Sequence, residues 1–171
     1  MAKVVPGRYT AQMDDSFVVF RIGMRVNRLW AVHKWLPVFR AMSPMIRELY
    51  TQRELGFLDG SVHLSWRGVS LIQYWKSFEH LEHYARHGAK HLTAWRNFNR
   101  SIGTDGTVGI YHETYIVQQG QYETVYNNMP VYGLAKAGRH VPATGQRETA
   151  SRRLGKDNEP AVPSPANPAR E

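Results

Sequence analysis

An α+β fold in the order strand, helix, strand, strand, helix, strand is predicted, and three observations predict it. Every second residue is apolar over parts of 17–26, 61–75 and 108–117, the period of half-buried strands. Apolar residues recur three and four apart over 30–49 and 77–97, the period of helices packed by one face. Turn-forming stretches separate these segments: Gly56, Arg67-Gly68, and S-I-G-T-D-G-T at 101–107.

Each element follows from its own residues. In F-V-V-F-R-I-G-M-R-V, residues 17–26, Phe20, Ile22, Met24 and Val26 share one face and Arg21, Gly23 and Arg25 the other. Over 30–49, Val38, Met42, Met45, Ile46 and Leu49 form a helical stripe. Pro37 suits a first turn, while Ser43-Pro44 reads as an N-cap followed by proline at the first helical position. The helix is therefore expected to be interrupted or kinked near 43, with Gly56 closing the segment. Next, Val62, Leu64 and Trp66 alternate with Ser61, His63 and Ser65, and Arg67-Gly68 turns the chain into V-S-L-I-Q-Y-W. Ser77 caps a second helix running to about Asn97. Finally, V-G-I-Y-H-E-T-Y-I-V, residues 108–117, sets Ile110, His112, Thr114 and Ile116 opposite Tyr111, Glu113, Tyr115 and Val117.

This order is the ferredoxin-like βαββαβ, or split βαβ, arrangement. Two helices cover one face of such a sheet, so the other is expected to be covered by a second copy, making a homodimer. Residues 1–15 are expected to form a flexible arm. Residues 16–154 form the domain with a C-terminal extension, containing a short helix at 121–128 and an extended stretch at 129–138. Residues 155–171, rich in proline and poor in apolar residues, are expected to be disordered.

Composition narrows the function classes. The 171 residues include no cysteine, which removes disulfides, thiolate metal sites and cysteine nucleophiles. The N-terminus has no signal-peptide core and no apolar run approaches a membrane span, so a soluble cytoplasmic protein is expected. The formal charge of +8, with five Trp and nine Tyr, raises the question of nucleic acid. The arginines are scattered and no aromatic RNA-recognition motif is present, so neither nucleic acid nor membrane is an expected partner.

Half of the eight histidines lie between residues 80 and 91. On one continuous helix His80, His83, His87 and His91 would share a flank beside the stripe of Phe78, Leu81, Ala85, Gly88, Leu92 and Trp95. His83/His87 and His87/His91 have metal-chelating i, i+4 spacing, but no further ligand is evident. The flank reads as a solvated edge, and no dedicated metal site is expected.

With these motifs in place the sequence resembles a known family. F-V-V-F-R-I-G-M-R-V-N-R-L-W, K-W-L-P-V, Q-Y-W-K-S-F-E-H-L-E-H-Y-A-R, H-L-T-A-W and G-I-Y-H-E-T-Y-I-V are similar to the antibiotic-biosynthesis-monooxygenase-like proteins of the dimeric α+β barrel superfamily, in the fumagillin-pathway monooxygenase branch. The resemblance covers roughly residues 15–155. It implies a homodimer whose sheets share a barrel, and a pocket between sheet and helices that takes a small hydrophobic metabolite. Some relatives are oxygenases without metal or flavin; others bind or degrade haem through a second-helix histidine with tryptophan and asparagine nearby. By element, the matching positions are His91, Trp75 and Asn27 as catalytic candidates, with His91 the ligand if haem is bound. The absence of C-x-x-C-H makes any haem non-covalent.

Oxygen chemistry without a cofactor needs an electron-rich substrate and a base that removes its proton. His112, Glu113, Tyr111 and Tyr115 are further candidates for holding the substrate, and Arg21 or Arg25 for its anionic form. Three readings stay open: a cofactor-free monooxygenase-type enzyme, a haem protein of the same fold, and a non-catalytic binder.

Overall fold

A computed structural model describes residues 2–169. Met1, at the start of the expected arm, and Arg170 and Glu171, at the end of the expected tail, lie outside the described residues. The chain divides into two compact units, one of residues 18–116 and one formed by the residues up to 17 with those from 117 onward. Among the described residues no helix is long and apolar enough to cross a membrane.

Labels run along the whole chain. β1, Val5–Gln12, belongs to the second unit, and β2 is Phe17–Val26. Then come α1 (Val32–Thr51), β3 (Phe57–Ser65), β4 (Gly68–Trp75), α2 (Phe78–His87), α3 (Ala89–Ser101) and β5 (Val108–Val117). The sheet order β3-β4-β2-β5 sets the first and last strands side by side, the split βαβ topology expected. β4 pairs antiparallel with both β2 and β3.

The helix-facing side of this sheet carries two buried clusters. Val18, Leu49, Phe57, Trp75, Leu81 and Tyr84 form one. Met24, Val26, Val69, Leu71, Ile102 and Val108 form the other, with Val38, Met42 and Ile46 of α1 packed on it. α1 is one continuous helix although it contains Pro37 and Pro44, so the interruption expected near 43 does not occur and Ser43 is an interior residue instead of a cap. Of its stripe Leu49 is buried, and Val38, Met42 and Ile46 are half-buried.

Two further differences from expectation are local. The β3–β4 turn is Trp66-Arg67, because Ser65 already pairs with Gly68. The second helix is two helices. Ser77 caps α2 as expected, accepting from the His80 backbone N–H, but the chain leaves helical geometry at Gly88, with ψ 110°. A Cβ there would stand 2.7 Å from the Tyr84 carbonyl oxygen. The break thus depends on a residue that lets the backbone approach this closely.

In the second unit β1 lies between β6 (Tyr126–Met129) and β7 (Arg139–Pro142), antiparallel to both. Residues 5–12, within the expected arm, are thus a central strand, with Tyr9, Thr10 and Ala11 buried. Their partners lie more than a hundred positions away in sequence, so no local pattern announces the pairing. The helix expected over 121–128 does not form; Thr124 Oγ1 accepts from the Ala11 backbone N–H and Tyr122 Oη from that of Met13. The stretch 129–138, expected to be extended, includes the short α4, Leu134–Ala137, and α5 is Ala150–Arg153. Within the expected tail, Asn167 accepts from the Arg8 backbone N–H at 2.7 Å and donates to the Arg8 carbonyl at 2.9 Å.

A candidate ligand chamber between sheet and helices

Within the unit of residues 18–116, α1, α2 and α3 do not settle fully onto the sheet. They leave a chamber of about 1300 Å³, larger than the ~300–1,000 Å³ of an ordinary small-molecule site. Its walls are mainly apolar, with Phe20, Ile22 and Leu71 from the sheet and Met42, Ile46 and Phe98 from the helices. The strand alternation read from sequence decides which side chains reach it.

His91 is on the chamber wall, half-buried. Its Nδ1 lies 2.9 Å from the Ala85 carbonyl oxygen. A carbonyl can only accept, so Nδ1 bears a hydrogen, and in the neutral ring Nε2 is the nitrogen with the lone pair. His80, His83 and His87 are exposed. The His83 and His87 rings stack at 4.5 Å, and His87 Nδ1 is tied to the His83 carbonyl. The shared flank expected of one helix is therefore absent: the Gly88 break separates His91 from the other three. Among the described residues no group of three or more His, Asp or Glu stands close enough to hold a metal ion.

Trp75 is fully buried and lies against the Phe57 and Tyr84 rings at 5.6 and 5.8 Å. Tyr84 in turn meets the His91 ring at 5.9 Å. Its hydroxyl donates to Glu48 at 3.1 Å, and Lys90 stands 3.7 Å from the same carboxylate. Burial first, then the Glu48 charge, pushes the Tyr84 hydroxyl above the ordinary phenol range. Tyr84 is thus a neutral donor, and Trp75 is the wall behind it.

The remaining candidates separate by face. His112 is on the chamber side, its ring 5.6 Å from that of Phe20. Arg21 and Glu113 pair at 3.3 Å on the opposite face, both about half exposed. The Arg21 guanidinium lies 5.5 Å from the Tyr111 ring centre. Tyr111 crosses Gly23, where a Cβ would come within 2.6 Å of its hydroxyl, and also borders the chamber. Tyr115 and Arg25 are exposed. Asn27 is outside the chamber and donates to the Gly106 carbonyl at 3.1 Å, tying the end of β2 to the loop before β5. Lys34 and Asp105 form an ion pair between α1 and that loop, and Lys34 holds the Asp105 carboxyl well below the usual carboxylate range.

Gln73 is a chamber residue that the sequence reading passed over. It occupies the register of Val69, Leu71 and Trp75, all buried on the helix side. A single amide among core-facing positions was the signal available.

The profile of the family described as monooxygenase af470-like matches residues 17–134. Monooxygenase af470 of Aspergillus fumigatus is 32% identical over 153 residues, covering 75% of this chain and 53% of that protein. Among solved structures, an aldoxime dehydratase in complex with butyraldoxime superposes with a TM-score of 0.63 at 16% identity, covering 80% of this chain and 42% of that one. A second aldoxime dehydratase structure gives 0.62 at 18%, covering 80% and 43%. The chain spans about half the length of these relatives, and the likeness to the dehydratases is one of fold.

Proposed function

The chain belongs to the monooxygenase af470-like family, as its motifs implied, and we propose that the chamber binds a small hydrophobic metabolite for monooxygenase-type oxidation. One observation carries the reading: an apolar chamber with a histidine on its wall whose Nδ1 is held by a backbone carbonyl, which fixes the tautomer of the neutral ring. In such a site Nε2 can take a proton from an electron-rich C–H or O–H. The anion left behind can reduce O₂; a CH₂ oxidised to C=O places one oxygen atom in the product and the other in water. Apolar walls keep bulk water from the anion. His112 reaches the same chamber and is a second polar contact for substrate. Arg21, Glu113 and Tyr115 lie on the other sheet face, as does Tyr111 apart from its contact with the chamber across Gly23, and they suit the contact of a homodimer, whose partner would cover their exposed surface.

The test is O₂ consumption with a panel of phenolic and polyenic compounds, repeated for His91→Ala at unchanged oligomeric state. A fall of at least about tenfold is expected, a threshold set below the ~10²- to 10⁴-fold that a positioned base contributes. An unchanged rate would take His91 out of the mechanism, and binding without turnover in the wild type would leave a non-catalytic binder.

The His91 geometry favours a second reading, haem binding. A metal-ligating histidine ordinarily donates its other ring N–H to a carbonyl or carboxylate, and the His91–Ala85 contact has that form. The chamber volume is ample for the macrocycle; Lys34 and Arg86 on its wall are already paired with Asp105 and Glu82 and would have to exchange those partners for the propionates. Bound there, haem would supply an iron centre for oxygen or redox chemistry. His91 would hold it and the apolar walls would exclude water. Haemin titration should then give a Soret band that His91→Ala abolishes; a protein that takes up no haemin ends this reading.

A further inference from the structure

Gln73 is buried, only 8% exposed, in the middle of the sheet and on the chamber wall. Its single hydrogen bond among the described residues runs from Trp75 Nε1 to Gln73 Oε1 at 3.0 Å. An indole N–H can only donate, so the atom it meets must be the amide oxygen, and the orientation of the amide follows. The nitrogen, with two N–H groups, is left without a protein acceptor. Directly across the strands stand Phe20 on β2 and Gly60 on β3, neither with a side chain able to accept. That nitrogen is not sealed in the core but faces the chamber, where water or a ligand oxygen can accept from it.

We propose that Gln73 fixes an acceptor oxygen of the ligand, so that the chamber selects hydrophobic molecules with an internal carbonyl-type oxygen over hydrocarbons of the same shape. This rests on the reading of the chamber as a ligand site and adds to it a polar contact and a substrate class. Gln73 and His91 stand at the two ends of one packed series, through Trp75 and Tyr84, so the amide holds a ligand oxygen away from the histidine.

Fluorenone and fluorene test this, since they differ by C=O against CH₂ in one flat skeleton and fluorenone has no proton to lose beside its carbonyl. Calorimetric titration of the wild type should show fluorenone bound about 5- to 10-fold more tightly, the worth of one ordinary hydrogen bond. Gln73→Leu should erase that preference while fluorene binds as before. If loss of the Trp75 partner prevents folding, Gln73→Glu keeps an oxygen for the indole and replaces the donor nitrogen by an acceptor; it too should lose the preference. Fluorene bound as well as fluorenone by the wild type, or a preference that survives both substitutions, overturns the role of Gln73 and leaves the chamber reading intact. If neither compound binds, the chamber is not a ligand site and both readings fall.

Discussion

Helices α2 and α3 are adjacent in sequence and comparable in composition, yet they serve different surfaces. α2 carries three histidines into solvent and buries Leu81 and Tyr84. α3 carries one, His91, to the chamber wall and buries no residue completely. His87 and His91 are four positions apart and would be neighbours on a continuous helix. Gly88 lies between them and ends that continuity. Which surface a histidine faces is thus set by backbone direction as much as by its place in the sequence.

The contrast can be broken at several points. Trp75 backs Tyr84, which backs His91, so Trp75→Ala removes the wall common to both helices. It should cost about 3–5 kcal/mol in denaturant unfolding and abolish chamber binding; a loss below about 1 kcal/mol would mean that the wall collapses without consequence. Gly88→Ala forces a methyl toward the Tyr84 carbonyl. It should destabilise by about 1–3 kcal/mol and weaken ligand binding beyond the effect on folding. Binding at wild-type strength in this variant would show that the break does not place His91.

Tyr84→Phe sharpens the comparison through pH. Loss of the hydroxyl–Glu48 bond should cost about 1 kcal/mol near neutrality. Because the folded-state hydroxyl titrates above its unfolded value, its stabilisation is complete below about pH 10. It is lost as pH rises from there toward the folded-state value, since the unfolded chain ionises first. The stability curves of wild type and Tyr84→Phe should therefore converge above about pH 10, and parallel curves would contradict the assignment. The smallest effect is expected for His87→Ala: within about 0.5 kcal/mol in stability and none on chamber binding. A marked loss of binding there would return the α2 histidines to the site.

Much of this was legible in the chain. The alternation in 17–26 and 108–117 marks β2 and β5 by their observed ends, and Ser77 caps α2 where its position suggests. The same alternation already separates His112 from Glu113, and so the chamber side from the opposite sheet face. Family likeness singled out His91, which lies on the chamber wall, whereas helical periodicity put it with the exposed histidines. Gln73 was visible only as one polar residue in an apolar register, a pattern that becomes meaningful once Trp75 is seen to occupy its oxygen.

What the sequence determined by itself is the periodic part of the protein: strands, helices and the face each residue takes. These depend on neighbours two to four positions away. Tertiary structure alone decided the unbroken α1 despite its prolines, the opening between helices and sheet, and the pairing of β1 with strands from the far end of the chain. Each of those depends on surfaces that meet only after folding, where the burial of many side chains overrides a local preference worth a few kcal/mol.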